Sequence, residues 1–203
     1  MINPSSAGLV VGLGNPGRRY RRTRHNIGFA VLDELVATQK GRQVRALPVE
    51  KKRICELYEW TLPDQQYPWL LCRPLTYMNL SGRAVRWVCL KYRLKPEQLL
   101  VVHDELDLAF GTVRMKYGGG LAGHRGLRSI TEEIGSRDFY RLRLGIGRPN
   151  PDCEAADYVL SPFPETEMHM VPDILSFAVQ GILTFRGHGF EQAHNFLRTA
   201  AQS

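Results

Sequence analysis

The residues best suited to chemistry are the histidines and the carboxylates that could orient them. His25 closes a segment holding five arginines, Arg18, Arg19, Arg21, Arg22 and Arg24, and is followed by Asn26. Imidazole can take a proton from water near neutral pH, so any of the chain's six histidines could act as a general base. Such a base gains from a carboxylate that orients the ring and stabilises its protonated form. Asp104 is the candidate carboxylate, because it ends the run Leu99-Leu100-Val101-Val102-His103 and opens the stretch Asp104-Glu105-Leu106-Asp107-Leu108. The same carboxylate could instead form an Asx turn or pair on the surface. A serine nucleophile lacks its G-x-S-x-G elbow. His25, His103, His124, His169, His188 and His194 show no H-E-x-x-H or comparable metal spacing and read mostly as surface or loop residues. Water activated by a histidine is the reading left for hydrolysis.

Other segments could hold a substrate. Gly12-Leu13-Gly14-Asn15-Pro16-Gly17 is a literal G-x-G-x-x-G after a strand. In a dinucleotide site the glycines open a helix directly onto the pyrophosphate, whereas here an arginine-rich loop intervenes, so that reading fails. The arginines themselves are either a solvated loop or phosphate ligands. Asn79, within Thr76-Tyr77-Met78-Asn79-Leu80-Ser81, is either a helix N-cap or an amide facing a cleft, with Tyr77 and Met78 as a small apolar platform. Gly118-Gly119-Gly120-Leu121-Ala122-Gly123-His124-Arg125-Gly126 lacks the Walker A lysine and reads as a flap or a phosphate-binding nest. Lys116 before it, with Arg141 and Arg143 on a later strand, could form a second basic patch.

The elements that must position these residues follow from periodicity. Apolar runs at Leu9–Leu13, Ile54–Trp60, Trp69–Cys72 and Leu99–Asp104 read as strands, with a Pro/Asp/Gln turn between the second and third. Thr112–Lys116 reads as a short edge strand and Arg141–Ile146 as a half-buried one. Helical spacing covers Ile27–Gln39, with Asn26 as N-cap, then Asn79–Tyr92, Leu127–Ile134 ending at Gly135, Glu165–Phe185, and a short helix near Glu191–Leu197. Alternating strands and helices imply an α/β fold.

The chain has 203 residues, enough to bury a core without disulfides or metal. No repeat or linker marks a boundary, so residues 1–203 are expected to form a single domain. Cys55, Cys72, Cys89 and Cys153 are widely spaced and the first residues lack a signal-peptide layout, which points to reduced thiols in the cytoplasm. No apolar run is long enough to cross a bilayer. The net charge of +7 allows an anionic partner without identifying one.

Taken together, the segments resemble the bacterial peptidyl-tRNA hydrolase family. The likeness covers nearly the whole chain and rests on Val11–Gly17, Tyr20, Thr23-Arg24-His25-Asn26, Thr76–Gly82, His103–Leu108, the glycine loop and Arg141–Gly147, in the family's order. It implies an α/β domain with a mixed sheet flanked by helices, working without metal or cofactor as a monomer. It also implies cleavage of the ester between a peptide and the 3′ ribose of tRNA. By the resemblance His25 is the general base, Asp104 sets its tautomer, and Asn15 and Asn79 bind the substrate's carbonyl and peptide groups. Tyr20, Tyr77, Met78, His124 and Arg125 line the substrate side, and Lys116 and Arg143 grip the 5′ phosphate of the tRNA. The contact disfavours initiator tRNA.

One loop departs from the pattern. Where the family reads Gly-Gly-His-Asn-Gly-Leu, this chain reads Ala122-Gly123-His124-Arg125-Gly126-Leu127. Arg125 keeps donors but loses the amide's acceptor, which bears on substrate positioning more than on the His25–Asp104 chemistry. The alternative is a non-catalytic RNA-binding relative of the same fold, such as the plant organelle splicing factors. A nucleotide-dependent oxidoreductase is more remote.

Overall fold

The computed structural model describes residues 7–39, 44–47, 54–61 and 67–199. The turn expected between the strands near Trp60 and Trp69 falls mainly on 62–66, and the opening segment on 1–6. Both lie outside the described residues. The strands are β1 (Gly8–Gly12), β2 (Val44–Leu47), β3 (Cys55–Trp60), β4 (Trp69–Pro74), β5 (Leu99–Glu105), β6 (Val113–Tyr117) and β7 (Tyr140–Gly145). The helices are α1 (Ile27–Gln39), α2 (Ser81–Tyr92), α3 (Arg125–Ile134), α4 (Ala155–Leu160), α5 (Glu165–Met168) and α6 (Val171–Thr199).

The strands form one seven-stranded sheet in the order β2-β3-β4-β1-β5-β7-β6. Its middle is parallel, with β1 between β4 and β5 and β7 beyond β5. Both margins are antiparallel, through β2 and β3 on one side and β6 on the other. The alternation of elements predicts the α/β class and the resemblance predicts the mixed sheet; both are found.

Side chains alternate across the strands, so each buried strand feeds two cores. Val10, Leu71, Leu100, Val102 and Leu142 face α1 and α6. Leu9, Val11, Leu70, Leu99 and Val101 face α2 and α3. Two of the early glycines permit this packing. A Cβ on Gly12 would lie 2.4 Å from the carbonyl oxygen of Gly28, and one on Gly14 would strike the Phe29 ring. The G-x-G motif therefore serves close contact between β1 and α1.

Several boundaries differ from the periodicity reading. Asn79 is not an N-cap, because a 3₁₀ turn at Met78–Leu80 precedes α2 and Leu80 takes the cap position. Asn26 is not the cap of α1 either, since it ends a 3₁₀ turn at Arg24–Asn26. The helix expected from Glu165 starts as the short α5 and resumes as α6. It then runs past Phe185 to a break at Gly189, whose φ of 82° and ψ of −177° suit glycine alone. β2 and α4 had no clear periodic signal, being only four and six residues long. Gly135 ends α3 as expected, with φ 73° and its N–H on the Thr131 carbonyl.

Candidate active site

The parallel strands β4, β1 and β5 release their chains at one edge of the sheet. The helix after β1 packs on one face and the helix after β4 on the other, which opens a crevice between them. A cleft of about 470 Å³ lies at this edge. Asn15 follows β1, Tyr77, Met78 and Asn79 follow β4, Asp104 ends β5, and His124 and Arg125 open α3; all line the cleft, as do Tyr20 and His25.

His25 and Asp104 meet there across 79 residues of sequence. The His25 Nδ1 lies 2.9 Å from both carboxylate oxygens of Asp104. The aspartate is 3% exposed and the histidine 8%, so the pair is sheltered but open on the cleft side. Burial alone would raise the Asp104 pKa. Attraction to His25 and His124 when either ring is protonated, together with the N–H each ring donates, outweighs it and holds the carboxyl well below the usual carboxylate range. An ionised Asp104 accepts from the His25 Nδ1–H, which leaves the Nε2 lone pair of His25 free for a proton from water. The Asx-turn alternative for Asp104 does not hold.

The two asparagines are placed differently. Asn15 is pinned on both sides of its backbone by Asn26, whose Oδ1 accepts from the Asn15 N–H at 2.8 Å and whose Nδ2 donates to the Asn15 carbonyl at 2.9 Å. The Asn15 Oδ1 in turn accepts from the Met78 N–H at 2.8 Å. Its Nδ2 is thereby turned toward the cleft as a donor. Asn79 is exposed on the cleft wall. Tyr20 and Tyr77 meet edge to face at 6.5 Å and frame the mouth with Met78 below. The clamp by Asn26 was missed in the sequence, where its only signal was adjacency to His25. The apolar wall from α4, including Ala155, Val159 and Leu160, was missed as well.

The arginine segment divides. Arg24 is 5% exposed and donates to the Ser161 hydroxyl, the Pro162 carbonyl and Glu167. It also stacks on Tyr158 at 4.3 Å, so it ties the His25 turn to the segment carrying α4 and α5. It is not a free phosphate ligand. Arg18, Arg19, Arg21 and Arg22 remain exposed. In the second basic group Arg141 is also buried, donating to the carbonyls of Gly119 and Gly120 and so shaping the glycine loop. Lys116 pairs in register with Arg141, which places it on the same sheet face as Arg143. Arg143 donates to Glu105 at 3.0 Å, and neither Lys116 nor Arg143 lines the cleft. Arg125 is exposed and makes no hydrogen bond or ion pair among the described residues. The neighbouring Ala122 has φ 45°, a left-handed conformation costing an alanine roughly 1–2 kcal/mol where the resembling pattern has glycine.

His103, within the strand read as buried, and His124, which the resemblance sets on the substrate side, both surround Asp104. The His124 Nε2 lies 3.1 Å from the Asp104 Oδ1, and its ring centroid is 5.0 Å from that of His25 and 5.0 Å from that of His103. The ligand atoms of His25, Asp104 and His124 lie within 4.8 Å of one another, a spacing that could hold a metal, but hydrogen bonds already join them. His103 is 1% exposed, and its Nδ1 donates to the Asp104 carbonyl at 2.7 Å. Burial, helped by the neighbouring His124, pushes its pKa down from 6.5 to about 3. Between those values the unfolded chain binds a proton that the folded chain refuses. Stability from this site is thus complete above pH 6.5 and is lost as pH falls toward 3, with a slope approaching about 1.4 kcal/mol per pH unit. We expect urea midpoints to fall between pH 7.5 and 4.5, and His103→Asn, which keeps a donor for the Asp104 carbonyl, to flatten that fall. An identical slope in the variant would remove His103 as the cause.

The chain is an α/β protein with a mixed sheet and a buried histidine–carboxylate pair in the cleft at the ends of its central strands. Comparison with known proteins narrows this. The family model described as peptidyl-tRNA hydrolase matches residues 9–203, and the chain belongs to that family. It is 46% identical over 193 residues to a peptidyl-tRNA hydrolase of Nitratidesulfovibrio vulgaris, covering 94% of this chain and 96% of that protein. It is 48% identical over 190 residues to that of Solidesulfovibrio magneticus, covering 91% and 90%. The crystal structure of peptidyl-tRNA hydrolase from Acinetobacter baumannii superposes with a TM-score of 0.84 at 33% identity, over 97% of this chain and 95% of that one.

Proposed function

We propose that this chain hydrolyses the ester joining a peptide, or an N-blocked aminoacyl group, to the 3′ ribose of tRNA. The observation that carries the proposal is the 2.9 Å contact between the His25 Nδ1 and Asp104 at the floor of an open cleft. His25 takes a proton from a water molecule through Nε2, and the hydroxide attacks the ester carbonyl. Asp104 holds the ring in that tautomer and stabilises the imidazolium. The Nδ2 of Asn15, fixed by Asn26 and Met78, donates to the developing oxyanion, with Asn79 holding the peptide beside it. The imidazolium then returns its proton to the departing 3′ oxygen, releasing tRNA and a free carboxylate. No step needs a metal or a cofactor.

Tyr20, Tyr77 and Met78 offer an apolar seat for the ester's flanking groups, and His124 and Arg125 close the opposite side. Arg143 and Lys116, on one sheet face beyond Glu105, take the 5′ phosphate of the tRNA. The exposed arginines 18–22 add long-range attraction for the backbone. The reading includes a single-domain monomer in the cytoplasm. In that setting the thiols of Cys55, Cys72, Cys89 and Cys153 stay reduced.

The test is purified protein mixed with N-acetylaminoacyl-tRNA and with free aminoacyl-tRNA, following release of the acyl group. Cleavage of the blocked ester with the free one spared supports the proposal. Binding of tRNA without cleavage of either ester would establish the RNA-binding alternative instead, for which Arg125 is the only feature in favour.

A further inference from the structure

The three histidines around Asp104 are not equivalent, and backbone hydrogen bonds distinguish them. His124 is the N-cap of α3, a place commonly filled by Ser, Thr, Asp or Asn. Its Nδ1 accepts from the N–H of Gly126 at 3.1 Å and of Leu127 at 3.3 Å. A ring nitrogen that accepts two amide protons carries a lone pair, so the ring hydrogen must be on Nε2. That Nε2 is 3.1 Å from the Asp104 Oδ1, and the His124 side chain is 7% exposed.

We propose that His124 is a tautomer-locked positioning residue, whose Nδ1 is held as an acceptor by the first amides of α3 so that its Nε2–H is committed to Asp104. The inference rests on the reading of His25 as general base and gives His124 a role other than substrate contact. With His124 donating to Oδ1, the carboxylate plane is held from one side while His25 donates from the other. His103 holds the Asp104 carbonyl through its own Nδ1, and its buried Nε2 has no partner among the described residues. His25 is then the ring whose free nitrogen faces the cleft. The lock also argues against a metal at this triad. Ligation through the His124 Nε2 would require its lone pair there and would move the ring hydrogen to Nδ1, against two amide N–H groups. Because the lock is made by α3, the geometry of the catalytic carboxylate depends on the glycine loop that delivers this helix.

The first test reads the tautomer directly and needs no activity. Long-range ¹H–¹⁵N correlation of the imidazoles in the wild-type protein at pH 7 should show His124 protonated at Nε2 and bare at Nδ1. A hydrogen on Nδ1 would sink the proposal, even if the enzyme proves to be an active hydrolase. Conversely, a protein that cleaves no ester would end the functional reading while the tautomer stayed measurable. The second test separates cap from donor. His124→Asn still caps α3 but stops short of Asp104, and kcat should fall on the order of tenfold with KM unchanged. His124→Gln can reach Asp104 with an amide donor and should recover most of that kcat, at lower thermal stability. A rise in KM at constant kcat in His124→Asn would make His124 a substrate contact and overturn the assignment. So would a His124→Gln that folds but is as slow as His124→Asn.

Discussion

His25→Ala is expected to lower kcat on N-acetylaminoacyl-tRNA by about 10²- to 10⁴-fold, the range supplied by a positioned general base. KM should change little, because the ring removes a proton rather than anchoring the substrate. The fold should tolerate the change, since the main-chain bonds of the turn at Arg24–Asn26 and the Arg24 anchor are untouched. Asp104→Asn should cost a comparable factor for a different reason. An amide there can present N–H to the His25 Nδ1, favouring the tautomer whose Nε2 carries the hydrogen and can no longer accept from water. It also leaves one carbonyl oxygen for two histidine donors. Steady-state kinetics on the blocked ester check both. Activity within tenfold of wild type in His25→Ala would place the base elsewhere.

Gly28→Ala is the second large effect, and it acts through the fold. The added Cβ would lie 2.4 Å from the Val102 carbonyl oxygen, 2.6 Å from the Leu13 nitrogen and 2.7 Å from the Leu13 oxygen. These are backbone atoms of the strand ends, so no side chain can turn aside. The same atoms form the bonds from the Leu13 N–H to the Val102 carbonyl at 3.0 Å and from the Phe29 N–H to the Leu13 carbonyl at 3.1 Å. Relief requires α1 to lift from β1 and β5, which carries His25 away from Asp104. Overpacking of this kind costs about 1–3 kcal/mol or more, against a helix-propensity gain of about 1 kcal/mol. At the upper end, which contacts this short with backbone atoms call for, the net loss is about 2 kcal/mol and lowers Tm by roughly 4–8 °C in a chain of this size. Activity should fall beyond what the unfolded fraction explains. Gly187→Ala, in a helix with nothing within 4 Å of the new Cβ, is the control and should leave Tm unchanged or higher. Equal Tm values for the two variants would show that the contact at Gly28 is relieved cheaply.

The sequence was most informative where the signal is local. Leu99–Val102 is an uninterrupted apolar run because β5 is covered on both faces, and Ile27–Gln39 has helical spacing because one side of α1 packs on the sheet. Resemblance added the pairing of His25 with Asp104, and the coordinates place the two in hydrogen-bond contact. Burial of charged groups was not legible. Arg24 and Arg141 look like their exposed neighbours in sequence, and what buries them is a set of carbonyls and a carboxylate supplied from residues far along the chain. His124 looked like a loop histidine because its partners are two amides at a helix start and an aspartate 20 residues away.

By itself the sequence determined that the chain is α/β, which strands are buried, and which side chains are candidates for chemistry. Only the tertiary structure decided that β1 lies between β4 and β5, so that three strand ends deliver Asn15, Asn79 and Asp104 to one crevice. The physical reason is that periodicity records which face of an element is covered, and says nothing of what covers it. Strand order, the tautomers of three histidines and the free amide of Asn15 are properties of contacts between distant segments. They exist only once the backbone groups that define them have been brought together.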